Sequence, residues 1–171
     1  MHTLYVLWSA FFLICRLRLR PQDLPASSIL LMLSLCLYTL VSMTLSLFQL
    51  SIKPAILSAL LDTSLLILLT NSLLYIVHYS VRINQTLTAL AGTNSVLGIL
   101  SIPLLFWLEQ LQLQPGDIAL PELLLLGLIV WNIAVYAHIL RHALEVPFFV
   151  GVGLTVITHL LTFALLNLIL N

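Results

Sequence analysis

The chain has 171 residues, 61% of them apolar and only 7% charged, with six Lys and Arg balancing six Asp and Glu. Soluble domains are roughly 25% charged, so this chain cannot clothe a water-facing surface, and its balanced charge excludes a basic field for nucleic acid. Cys15 and Cys36 both lie in apolar runs, which argues against a disulfide scaffold or a zinc site. The composition is that of an integral membrane protein whose first partner is the lipid bilayer.

The first apolar stretch, Met1–Cys15, is short for a hydrocarbon core that takes roughly 20 helical residues. It has no basic leading region and no small-residue cleavage site, so a removable signal peptide is not expected. Leu13-Ile14-Cys15 brushes against a lipoprotein box, but Ile14 is too bulky for its position. Length favours an interfacial amphipathic or re-entrant helix over residues 1–20, with Trp8, Arg16, Arg18 and Arg20 at headgroup level, over a true span. Five stretches of spanning length follow: Ser27–Phe48, Pro54–Tyr79, Thr86–Leu108, Pro121–Leu140 and Val146–Leu170. Ser27 and Ser28 can cap the first, Pro54 and Pro121 suit a first helical turn, and Val146-Pro147 serves the last in the same way. Gln114-Pro115-Gly116-Asp117 is the clearest turn. The short connections make successive helices antiparallel neighbours. The predicted fold class is therefore all-α: a polytopic bundle of five transmembrane helices over residues 27–170 with an N-terminal interfacial helix.

Within the spans, Ala55 and Ala59, Ala91 and Ser95, and Gly92 and Gly98 are spaced for close helix approach. Pro103 is expected to kink the third span. Five of the six positive charges, Arg16, Arg18, Arg20, Arg82 and Arg141, fall on one side, with Lys53 alone opposite beside Glu109, Asp117 and Glu122. The positive-inside rule makes the arginine side cytoplasmic and turns Asn171 outward. The sequon at Asn84 then faces the wrong compartment for glycosylation.

Helical rise assigns each intramembrane polar group a depth. Asn71, Asn94 and Asn132 come out at roughly 10–13 Å from the arginine edge, and Asp62 and His159 at roughly 20–24 Å. Polar groups in hydrocarbon turn inward and seek one another. The asparagines read first as an interhelical polar layer, and otherwise as a path for a proton or small solute. Asp62 needs neutrality, a partner such as His159, or a water-filled cavity, with Thr63 and Ser64 as local alternatives. Arg82, His138, Arg141, His142 and Glu145 read as a cytoplasmic rim. His138, His142 and Glu145 share a helical face, but no metal is expected there, because the intervening residues do not form a zinc-protease motif.

Several segments together carry a family likeness: Pro21–Ser27, Arg82–Thr93, Ile102-Pro103-Leu104, Trp131–Val135 and His138–Phe148. They resemble small bacterial members of the Yip (Ypt-interacting protein) domain family, along most of the chain from about Arg20. The resemblance implies five spans, a cytoplasmic N-terminus, an outward C-terminus and a place in the bacterial cytoplasmic (inner) membrane. Eukaryotic members work with small GTPases through a long cytoplasmic N-terminal region that this chain does not show, which argues against a GTPase partner. For the bacterial members the resemblance implies no defined activity. No nucleophile with a base, phosphate loop or catalytic carboxylate pair is present, so neither an enzyme nor a cofactor is expected. The leading functional reading is a scaffold, assembly factor or accessory subunit acting through helix contacts with a membrane-protein partner or a second copy. The second is a small transporter or channel using Asp62, His159 and the asparagines. A hydrated cavity around Asp62 favours transport; a dry, packed interior favours scaffolding.

Overall fold

A membrane helix that is apolar on every side carries no one-face code, so its neighbours must be chosen by small residues and polar contacts. The computed structural model describes the backbone of residues 2–112 and 118–170, and the side chains of residues 8–111 and 118–169. It consists of α1 (His2–Cys15), a 3-10 turn (Pro21–Asp23), α2 (Ser28–Ser46), α3 (Ile52–Ile76), a 3-10 turn (Ser80–Arg82), α4 (Ile83–Gln112), α5 (Ala119–Leu144) and α6 (Phe148–Leu170). Helices α2 to α6 are long and apolar enough to cross a membrane. The molecule is an all-α, multi-pass membrane bundle. The expected spans shift by at most four residues, as where α5 runs to Leu144 rather than Leu140.

The helix starts follow the sequence signals. Ser27 Oγ accepts the Leu30 N–H at 3.4 Å, Pro54 and Pro121 sit in first turns, and the Pro147 carbonyl accepts from Val150 and Gly151 at 3.1 Å each. Helix α4 continues through Pro103 as a helix. The expected Gln114–Asp117 turn lies outside the described residues.

Helix α4 is the central post. It packs on α1, α2, α3 and α5, while the α2–α3 and α5–α6 hairpins meet where α3 touches α6. Small residues allow these approaches. A β-carbon on Gly92 would overlap the Phe11 ring, one on Gly98 would lie 2.5 Å from Val41 Cγ1, and one on Gly151 would lie 2.7 Å from the Ala137 carbonyl oxygen. Ala55, Ala59, Ala91 and Ser95 are all buried. Packing is uneven along the axis: α4 is buried almost continuously from Thr86 to Gly98 and α5 from Val135 to Leu140, whereas their other halves are largely half-buried or exposed.

Helix α1 packs into the bundle against α4 and α5. Phe11, Ile14 and Cys15 are buried, Cys15 Sγ lies 4.0 Å from the Thr93 carbonyl, and Trp131 Nε1 donates to the Cys15 carbonyl at 2.8 Å. Thr93 is about 16 Å along α4 from Arg82 by helical rise.

Three helices end on left-handed residues that are not glycine: Leu17, His78 and Glu145, with φ near 60°. In each case the next N–H reaches back five residues, Arg18 to Leu13, Tyr79 to Leu74 and Val146 to Arg141, which satisfies carbonyls that the helix end leaves free. All three lie at the arginine-rich end. Glycine adopts this conformation without a β-carbon clash. His78→Gly, at an exposed site, should therefore raise stability by about 0.5–1 kcal/mol. Thermal unfolding in detergent will show whether the melting temperature rises or falls.

Candidate functional site

Polar residues of the spans, Tyr38, Ser42, Asp62, Asn94, Asn132 and His159 among them, line one cavity. It has a volume of about 400 Å³, and all five spans contribute to its wall. Its inner end is formed by buried Leu66, Tyr136 and Thr158. Its other end, away from the arginine-rich rim, is lined by half-buried Leu45, Ser101, Leu125 and Leu166.

Asp62 stands on this wall, and its partners come from α2. Its Oδ2 accepts from Tyr38 Oη at 2.6 Å and from Ser42 Oγ at 2.9 Å. Tyr38 and Ser42 are four residues apart on one helix face, so both hydroxyls can meet one oxygen. Oδ1 accepts no hydrogen bond from the described residues, and Asp62 is one of the residues that line the cavity. Thr63 and Ser64 instead bond backbone carbonyls one turn back, at 2.9 and 2.7 Å. The expected bond between Asp62 and His159 does not form, although both side chains line the cavity. His159 Nδ1 lies 2.9 Å from the Thr155 carbonyl. A carbonyl only accepts, so Nδ1 carries the proton and a neutral ring leaves Nε2 as an acceptor. The ring stands edge-on to Tyr136 at 5.0 Å.

Asn94 and Asn132 meet as the depth argument expects. Asn132 Nδ2 donates to Asn94 Oδ1 at 2.7 Å, joining α5 to α4 on the cavity wall. Asn71 shares their depth but not their face: it is half-buried and joins neither. Tyr38, Ser42 and Tyr136 are site residues that depth alone missed. The i, i+4 pair of hydroxyls on α2 was the available signal.

The rim residues form a second polar region. Arg82 Nη2 pairs with Glu145 Oε1 at 2.6 Å, and Tyr79 Oη donates to Glu145 Oε2 at 3.0 Å. Arg82 also donates to the Ala143 carbonyl at 3.3 Å and lies over the Tyr79 ring at 4.6 Å. Glu145 is thereby drawn away from His138 and His142, whose rings stack edge-on at 4.5 Å. The segment after α1 is tied down alongside. His138 Nε2 donates to the Leu19 carbonyl at 3.2 Å, Gln22 Nε2 donates to the His142 carbonyl, and Gln85 Nε2 reaches the Gln22 and Leu24 carbonyls at 3.1 and 2.7 Å.

Hydrogen bonds from Arg82 and Tyr79 hold the Glu145 carboxyl below its ordinary 4.5, and the same carboxylate pushes the Tyr79 phenol above 10. A depressed acid adds stability that is fully present above its unfolded value and is lost as pH falls through the folded one. The advantage of the natural chain over Glu145→Gln should therefore be level near neutral pH and vanish as pH drops below about 4.5. The pair is exposed, so the effect is small. Paired melting curves between pH 3 and 7 test it, and a gap that persists at pH 3 contradicts it.

No family model, no curated protein and no solved structure matches the chain.

Proposed function

We propose that this chain is a non-enzymatic membrane protein that admits a small cationic or hydrogen-bond-donating solute into its own bundle, as a small transporter or channel. The observation that carries this reading is Asp62 in the wall of a cavity of about 400 Å³, with one carboxylate oxygen that accepts no hydrogen bond from the described residues. A carboxyl at the centre of a span costs about 2.5–3.5 kcal/mol, and a scaffold gains nothing from keeping such a group beside open space. His159 and the Asn94–Asn132 pair offer further hydrogen-bonding groups on the same wall. Intramembrane acids so placed mark solute and proton paths by default. The proposal also makes the chain a small Yip-type protein of a bacterial inner membrane. The rim is then cytoplasmic, the C-terminus is outward, and the less buried end of the cavity faces out. The five spans and the arginine asymmetry support that placement.

Water in the cavity separates transport from scaffolding. In a Cys15→Ser, Cys36→Ser background, Ser101→Cys on the cavity wall and Leu160→Cys on the exposed side of α6 can be compared in open membranes. A water-soluble, membrane-impermeant cationic thiosulfonate should modify the first at least about tenfold faster, since thiols react as hydrated thiolates. Equal, slow modification would mean a dry interior and return the scaffold reading to first place. Repetition on intact cells then reports the side to which the cavity opens.

A further inference from the structure

A second recess lies at the arginine-rich rim, between the segment after α1 and the junction of α5 with α6. It has a volume of about 410 Å³ and is lined by Leu17, Arg18, Arg20, His138, Arg141, His142 and Phe148. Three arginines and two histidines line it, and no acidic residue does among the described residues. The one ion pair among the described residues is Arg82–Glu145, so Arg18, Arg20 and Arg141 have no ionic partner among them. The nearest acid, Asp23, is engaged by the Arg20 backbone N–H at 2.9 Å.

We propose that this recess binds a phosphate-bearing anion. Gathering like charges is unfavourable, and here the chain holds them together by construction. The left-handed turn at Leu17 sends the chain back past the end of α1. The bond from His138 to the Leu19 carbonyl, with its neighbour from Gln22 to the His142 carbonyl, then fixes the Arg18–Gln22 segment on α5. A tetrahedral phosphate resolves the charge imbalance, because guanidinium forks match its oxygens two at a time. Basic recesses between helices at a membrane surface are suited to anionic headgroups. Leu17 and half-buried Phe148 give the recess an apolar flank, where acyl chains would continue from a headgroup. A lipid headgroup and a free phosphate ester share this chemistry, and the test separates them.

The full chain in mild detergent is titrated with phosphatidylglycerol, with phosphatidylcholine of the same acyl length, and with glycerol 3-phosphate, and thermal stabilisation is read. Phosphatidylglycerol should stabilise and phosphatidylcholine should not. Stabilisation by glycerol 3-phosphate as well assigns the site to soluble phosphate esters; its absence assigns the site to lipid. Arg20→Gln and Arg141→Gln should each raise the half-maximal concentration about fivefold, with Arg20→Lys between Arg20→Gln and the natural chain. Arg16→Gln and Lys53→Gln, whose charges lie outside the recess, should change it less than about twofold. Arg20 is exposed, so its variants report even where Arg141→Gln does not fold. Equal stabilisation by the two lipids with none from glycerol 3-phosphate overturns the proposal. So does an effect of Arg16→Gln or Lys53→Gln matching that of Arg20→Gln.

Discussion

Asp62→Asn should slow the reaction of the cationic thiosulfonate with Ser101→Cys by at least about tenfold, while leaving a neutral reagent of similar size almost unaffected. Two unit charges about 6 Å apart at an effective dielectric of about 20 attract by roughly 3 kcal/mol. A tenfold change needs only about 1.4 kcal/mol, so the estimate leaves room for water in the cavity. Asparagine retains an oxygen for Tyr38 and Ser42, so stability should stay within about 1 kcal/mol. Asp62→Leu is a useful companion because two effects oppose. Removing the acid relieves the roughly 2.5–3.5 kcal/mol burden of a mid-span carboxyl, but it strands the Tyr38 hydroxyl, an unmet donor worth about 1–3 kcal/mol. Ser42 can turn to a carbonyl one turn back, as Thr39 does at 2.8 Å. The leucine variant should thus fold yet show no preference for the cationic reagent. Equal slowing of the cationic and neutral reagents by Asp62→Asn would show that the carboxylate does not act on the cavity contents.

Gly151→Ala and Gly153→Ala should shift stability in opposite directions, although the same methyl is added two residues apart on α6. At Gly151 the new carbon lies 2.7 Å from the Ala137 carbonyl oxygen and 3.4 Å from Arg141 Cβ. Backbone stands on both sides of that contact, so no rotamer can relieve it, and α6 must move off α5. Overpacking of this kind costs about 1–3 kcal/mol. At Gly153 nothing lies within 4 Å, so alanine adds helix propensity alone, worth about 1 kcal/mol. The two variants should therefore differ by about 2–4 kcal/mol in reversible unfolding. Indistinguishable variants would mean that the two helices do not meet at Gly151.

The number, order and ends of the spans were legible because each rests on local chemistry: an apolar run of bilayer length, the Ser27 hydroxyl, and prolines placed where an N–H is dispensable. Depth was legible for the same reason, since it needs only a residue count along one axis. What depth omits is rotation about that axis. Asn94 and Asn132 share a height and a face, and they bond; Asn71 shares only the height. Asp62 and His159 line one cavity from two helices, but Tyr38 and Ser42, on the hairpin partner of α3, engage the carboxylate. Nearly uniform apolar helices give little signal for rotation, so the facing residues could be read only where a polar pair repeats at four-residue spacing, as on α2. The rim was read as a set of headgroup-level side chains. Its closure by Gln22, Gln85 and the Leu19 carbonyl depends on the path of the chain after α1, which a turn at a non-glycine residue conceals.

The unequal lengths of the spans set a relation between this bundle and the thickness of its membrane. Helix α2 has 19 residues, α4 has 30 and α5 has 26, or about 28, 45 and 39 Å by helical rise. Against a hydrocarbon layer of about 30 Å, α2 can stand upright, while α4 and α5 must lean or emerge among the headgroups. The helices pack most tightly toward the rim, so leaning separates them at the far end, where the helices are less buried. A thinner bilayer increases the lean and spreads the mouth; a thicker one lets the long helices rise and draws it together. Acyl chain length should thus alter access to the cavity, readable as the modification rate of Ser101→Cys across a series of lipids of increasing length.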